Sequence, residues 1–133
     1  MDLRDVEIYL KNRRIKKDGF SRKRLEESRI LQPIVLKNIE EGKNYRFISL
    51  LKYINASGFK LYLNNNEIEE AIDLGNIIKK YRMECNLSQF QVSQLCAFNQ
   101  NRIIRLERGQ CNRESLITWL QKFPDFTFDI KEL

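Results

Sequence analysis

At 133 residues the chain can form one ordinary domain or two very small ones, and an apolar share of 42% supplies a core, which excludes a disordered polyelectrolyte. A formal charge of +6 favours polyanionic partners, and the complete absence of histidine removes a common metal ligand and acid–base group. Cys85, Cys96 and Cys111 are odd in number and too far apart for a C-x-x-C clasp, no apolar run approaches a membrane-spanning length, and the charged amino terminus is unlike a signal peptide; a cytoplasmic protein with buried free thiols and no membrane contact is expected.

The chain opens basic. Residues 1 to 66 hold 15 Lys plus Arg against 8 Asp plus Glu, whereas residues 67 to 133 hold 9 against 10. Lys11, Arg13, Arg14, Lys16 and Lys17, then Arg22, Lys23, Arg24 and Arg29, form a cluster suited to phosphates. In this half Ser21 reads as a helix cap with Leu25 facing inward. Pro33 occupies the first turn of a third helix that Gly42 follows, and Phe47, Leu50, Leu51 and Ile54 mark the helix after it. FKLYL, residues 59 to 63, alternates as a half-buried strand does. Asn64, Asn65 and Asn66 read as a join.

Beyond the join, Leu74, Ile77, Ile78 and Tyr81 share one side of a helix, and Ser88 with Gln91 makes a capping box for the next, which carries Val92 and Leu95. After the short Ala97-Phe98 connection, Asn99 caps a helix with Ile103 and Leu106 inward, and Gly109 supplies the left-handed residue that ends it. A fourth helix is expected over residues 113 to 123, with Leu116, Ile117 and Leu120 as its stripe and Trp119 in the core. FTFDI, residues 126 to 130, alternates like FKLYL.

Sliding the chain on itself by 67 residues superimposes GFSRKRLEESRILQPIVLKNIEEG on NLSQFQVSQLCAFNQNRIIRLERG and GFKLYL on DFTFDI, pattern rather than identity carrying the match. Two units follow, residues 1–66 and 67–133. One isolated strand cannot satisfy its own hydrogen bonds, so the two strands pair either within the chain, giving a monomeric pseudo-dimer, or between chains, giving a homodimer.

The stretch R-x-x-x-x-L-S-Q at Arg82 to Gln89 and the ending I-I-R-L-E-R-G at Ile103 to Gly109 resemble the Cro and phage-repressor (XRE) type of helix-turn-helix family. The resemblance implies a mainly α fold of two tandem lambda-repressor-like units, here each ending in a short strand, and such proteins place their third helix in the major groove of double-stranded DNA; the second unit is expected to read bases and the first to grip the backbone. In the second unit it makes Gln100, Asn101, Ile104 and Arg105 the base-reading positions. Amides can bridge the major-groove groups of adenine, and Arg suits the paired acceptors of guanine. Gln89, which the resemblance places on a phosphate, joins Arg102, Arg108 and Arg113 as backbone contacts, with Lys11, Arg13, Arg14, Arg22, Lys23 and Arg24 from the basic half. Glu107 reads as structural. In the first unit Pro33, Ile34, Val35 and Asn38 take the reading positions and form a degenerate recognition helix, which grips no base by paired hydrogen bonds at its apolar members. Ala97 and Ile30 stand where the family's turn usually has glycine. LLKYINASGFKLYLNNNE, a helix running directly into a strand, resembles antitoxins of persistence-type toxin–antitoxin modules, which implies a toxin-type protein partner and repression of an operon.

No catalytic constellation is legible, no cofactor or metal is implied, and Glu40, Glu41, Glu69 and Glu70 read as solvated or capping carboxylates. The expected function is a sequence-specific regulator of transcription, with a protein-interaction module such as a toxin-neutralising antitoxin as the rival. Exposure of Gln100, Asn101 and Arg105 together separates the first from the second.

Overall fold

The computed structural model describes residues 1–16 and 31–133 and is mainly helical, with one small antiparallel sheet. The expectations for Ser21, Leu25 and Ile30, and for Lys17, Arg22, Lys23, Arg24 and Arg29, lie outside the described residues. Helix α1, Leu3–Lys16, starts on a reciprocal Asp2/Asp5 cap and buries Leu3, Val6 and Leu10. Helix α2, Pro33–Glu41, has proline at its first position and ends where Gly42 turns left-handed at φ 70°; helix α3, Phe47–Ala56, follows.

Strand β1, Phe59–Leu63, has the bounds expected from its alternation, with Phe59, Leu61 and Leu63 buried. The asparagine run after it is a hairpin turn rather than a linker. Asn64 and Asn65 adopt φ of 47° and 66°, the left-handed pair that a two-residue hairpin needs, and bring strand β2, Asn66–Ile68, back onto β1. Helices α4 (Ala71–Glu84), α5 (Gln89–Cys96), α6 (Gln100–Glu107) and α7 (Arg113–Lys122) precede strand β3, Phe128–Glu132.

Strand β3 pairs with β1 inside the chain, so the sheet has three strands in the order β2-β1-β3. It begins two residues later than the FTFDI pattern suggests because other partners claim the preceding segment. The Asn64 side chain accepts from the Thr127 amide at 2.8 Å and donates to the Asp125 carbonyl at 3.0 Å. The Phe126 ring packs on Tyr81 and Trp119 at 4.9 and 5.1 Å. Leu95, expected inward, is 50% exposed, since α5 turns Val92 and Cys96 to the core instead.

The register carries the 67-residue repeat into three dimensions. Tyr62 faces Asp129, its own counterpart 67 positions on, so the β1–β3 ladder is centred on equivalent residues. Leu61 faces Ile68 across β1 and β2. Phe128, the counterpart of Leu61, exchanges two backbone bonds with Met1, the counterpart of Ile68. A second crossing joins Arg46 to Asn112 as an isolated bridge, with Phe47 N to Cys111 O at 2.9 Å and Arg113 N to Tyr45 O at 2.7 Å. Each strand is thus flanked by a residue from the start of the opposite half, an arrangement with approximate two-fold character in this ladder. One buried cluster runs through both halves, from Leu10, Leu36 and Leu50 to Leu74, Leu106 and Trp119.

Candidate nucleic-acid interface

Local chemistry fixes the α5–turn–α6 segment at both ends. The Ser88 hydroxyl accepts from the Gln91 amide at 3.0 Å and the Gln91 side chain accepts from the Ser88 amide at 2.7 Å, completing the capping box that starts α5. Helix α5 stops at Ala97, a left-handed residue at φ 54° where the Cβ costs energy that glycine avoids, and the Phe98 amide closes on the Ser93 carbonyl at 2.8 Å. Asn99 then caps α6, its side chain accepting from the Arg102 amide at 3.0 Å.

Helix α6 divides into two faces. Ile103, Leu106 and Glu107 are buried. Gln100, Asn101 and Arg105 are exposed together, with Ile104 half-buried among them and Arg108 exposed at the end. Glu107 anchors the inner face. Arg82 grips it in a bidentate pair at 2.6 and 3.1 Å, Gln89 donates to it at 3.1 Å, and Arg82 also reaches the Leu87 carbonyl at 2.8 Å. Gly75 lets α4 approach, because a Cβ there would collide with the Glu107 carbonyl. Gly109 ends the segment at φ 72° against the Ala71 carbonyl.

Helix α2 repeats this division position by position. Leu36, Ile39 and Glu40, the counterparts of Ile103, Leu106 and Glu107, are its buried residues. Glu40 takes Arg14 in a bidentate pair at 2.6 and 2.8 Å and accepts from the Tyr53 hydroxyl at 2.7 Å. These bonds hold the Arg14 guanidinium above its ordinary pKa, and burial against the carboxylate pushes the Tyr53 phenol up. Outward lie Pro33, Ile34 and Lys37, with Val35 and Asn38 half-buried.

The side chains expected on the DNA backbone divide in the same physical terms. Arg113 is committed to Glu7, which is wholly buried, at 2.6 and 3.1 Å, and Tyr45 donates to the same carboxylate; Arg14 is held by Glu40. Both guanidinium groups, expected as phosphate arms, form interior ion pairs in the structure. Glu40 is corrected too, from a solvated or capping carboxylate to a buried anchor. Gln89 spends its amide on Glu107. Arg102 lies over the Phe98 ring at 3.8 Å and donates twice to Ser115, which holds its planar head in place. Arg13 pairs with Glu132 at 2.9 Å on the surface, Lys11 is half-buried, and Arg108 is exposed.

One cleft of about 920 Å³ adjoins the outer face of α6, lined by Arg46, Asn99, Arg102, Arg105, Gln110 and Asn112 among others. Arg46 and Gln110 were not singled out by their sequence. The signal available for Arg46 was its place in the repeat opposite Arg113, which α1 sequesters while Arg46 stays exposed. No helix among the described residues is long and apolar enough to cross a membrane. Comparisons of the chain with models of protein families, with curated proteins and with solved structures find no match.

Proposed function

We propose that the chain is a sequence-specific double-stranded DNA-binding regulator, a monomeric pseudo-dimer of two helix-turn-helix units of the Cro and phage-repressor kind, acting as a cytoplasmic repressor rather than an enzyme. The supporting observation is the division of α6: an amide pair and a guanidinium project together from a helix whose other face is locked by buried apolar residues and the Arg82–Glu107 pair. A rigid helix carrying Gln100, Asn101 and Arg105 offers the paired donors and acceptors that major-groove edges of adenine and guanine match, each good pair adding roughly 1 to 3 kcal/mol of discrimination. Arg46, Arg102 and Arg108 supply charge beside it for the phosphates, which position the protein without specifying sequence.

Selection from a random double-stranded DNA pool at fixed salt tests the reading. The wild type is expected to enrich one motif, and a Gln100→Ala, Arg105→Ala variant to lose it. The rival, a protein-interaction module, draws on Phe90 and Leu95, which α5 leaves 56% and 50% exposed. Absence of enrichment, with a Phe90→Ser, Leu95→Ser variant losing a toxin-type partner, would favour that rival.

A further inference from the structure

We infer that the preferred DNA consists of two half-sites of unlike sequence, one read by α6 and the other by α2 within the same chain. This rests on the DNA-reading proposal and deepens it.

The placement comes from the sheet. Because β1 and β3 pair about Tyr62 and Asp129, and the Arg46–Asn112 bridge falls between near-equivalent segments, the halves cross at two points in a near two-fold manner, and on that ground we place α2 and α6 in related positions. Their inner faces agree residue for residue, Leu36, Ile39 and Glu40 against Ile103, Leu106 and Glu107. Both helices therefore bury corresponding residues and expose the pairs Pro33/Gln100 and Ile34/Asn101, while Asn38 is half-buried where Arg105 is exposed and Lys37 is exposed where Ile104 is half-buried.

The outward residues do not agree. Pro33 stands for Gln100, Ile34 for Asn101, Lys37 for Ile104 and Asn38 for Arg105. Ile34 is 58% exposed, which suits apolar contact with a thymine methyl; Asn38 suits adenine and Lys37 the acceptors of guanine. On the other side Gln100 and Asn101 suit adenine and Arg105 guanine. Two helices in related positions and with different chemistry cannot both be satisfied by a palindrome. A homodimer reads the same half-site twice; this chain, covalently fixed in one order, reads two.

The selected pool gives the first readout: two different half-sites at one fixed spacing, about one helical turn centre to centre. Synthetic duplexes give the second and need no protein variant. The natural pair is expected to bind at least about 10-fold more tightly than either half-site duplicated as an inverted repeat. An Ile34→Ala, Asn38→Ala variant should become indifferent to the sequence of one half and keep the other, and Gln100→Ala, Arg105→Ala the reverse. A palindromic motif, or a single half-site untouched by the Ile34→Ala, Asn38→Ala change, overturns the inference while leaving DNA reading in place; the single half-site would assign the α2 face to a protein. Enrichment of no motif brings down both readings.

Discussion

Glu40 and Glu107 do one job in two surroundings. Each ends a helix, faces the interior and receives a bidentate arginine from the first helix of its own half, Arg14 in one and Arg82 in the other. Glu40 is 1% exposed and its third bond comes from the buried Tyr53; Glu107 is 6% exposed and its third bond comes from half-buried Gln89. A helix held from the inside by charge can carry different outer faces, and the outer faces of α2 and α6 differ while their inner faces match.

The difference in burial sets the largest expected effect. Glu40→Ala strands Arg14 inside the protein and is expected to cost about 3 to 5 kcal/mol of unfolding free energy. Glu107→Ala should cost roughly 2 to 3 kcal/mol, because Arg82 keeps the Leu87 carbonyl at 2.8 Å. Equal losses in urea unfolding would break the comparison.

The glycines that follow the two helices sharpen it. Alanine at either left-handed position costs roughly 1 to 2 kcal/mol of backbone strain. At Gly42 the new Cβ first meets the Arg4 side chain, 2.8 Å away, which can shift at the cost of its bonds to Glu7 and the Glu40 carbonyl, whereas at Gly109 it strikes the Ala71 backbone. Gly109→Ala should therefore lose roughly 3 kcal/mol and Gly42→Ala about half that; reversal of this order in thermal unfolding would remove the distinction.

Arg113 and Arg46 are counterparts with opposite fates. Arg113→Ala, which leaves Glu7 with only Arg4 and the Tyr45 hydroxyl of these partners, is expected to destabilise by roughly 2 to 3 kcal/mol, and Arg46→Ala to stay within about 0.5 kcal/mol. If DNA binds, the same Arg46→Ala change should weaken it evenly across sequences and lower the salt slope by about 1.

A further, modest effect is a pH dependence to which the second half adds a buried thiol. Burial pushes the Cys111 thiol from 9.0 up to about 12, and its counterpart Asn44 is exposed and cannot titrate. The folded protein keeps a proton there that the unfolded chain releases, so stability is full below pH 9 and falls as pH rises toward 12. The loss between pH 9 and pH 10 is about 1 kcal/mol. Cys111→Ala should flatten that slope in unfolding curves taken at pH 8, 9 and 10; an unchanged slope would assign it to the buried tyrosines.

Much of this was legible in the chain. The Ser88–Gln91 box, the Asn99 cap, the strand Phe59–Leu63 and the left-handed Gly109 depend on neighbours a few residues away, and local chemistry states them outright. The parallel roles of Leu36 and Ile103 follow from the 67-residue register. What stayed hidden is long-range. Strand β2 has only three residues, and its asparagine turn looks like any polar break. Arg14 sits in a sequence as basic as a phosphate-binding surface and Arg113 reads as one more solvated cation, and only the packing of α1 shows that Glu40 and Glu7 pair with them. The shift of β3 depends on Asn64, more than sixty residues earlier, reaching across to Thr127.

The pairing of Ile68 with β1 and of Met1 with β3 has a kinetic consequence. The β1–β2 hairpin closes over a two-residue turn and can form in microseconds, but the β1–β3 ladder and the Met1–Phe128 bonds close loops of nearly half and nearly all the chain. Neither half can complete its own sheet. Folding therefore ends in ring closure rather than in the docking of two finished domains, and a nick between the halves would cost the protein its cooperativity before it cost any helix.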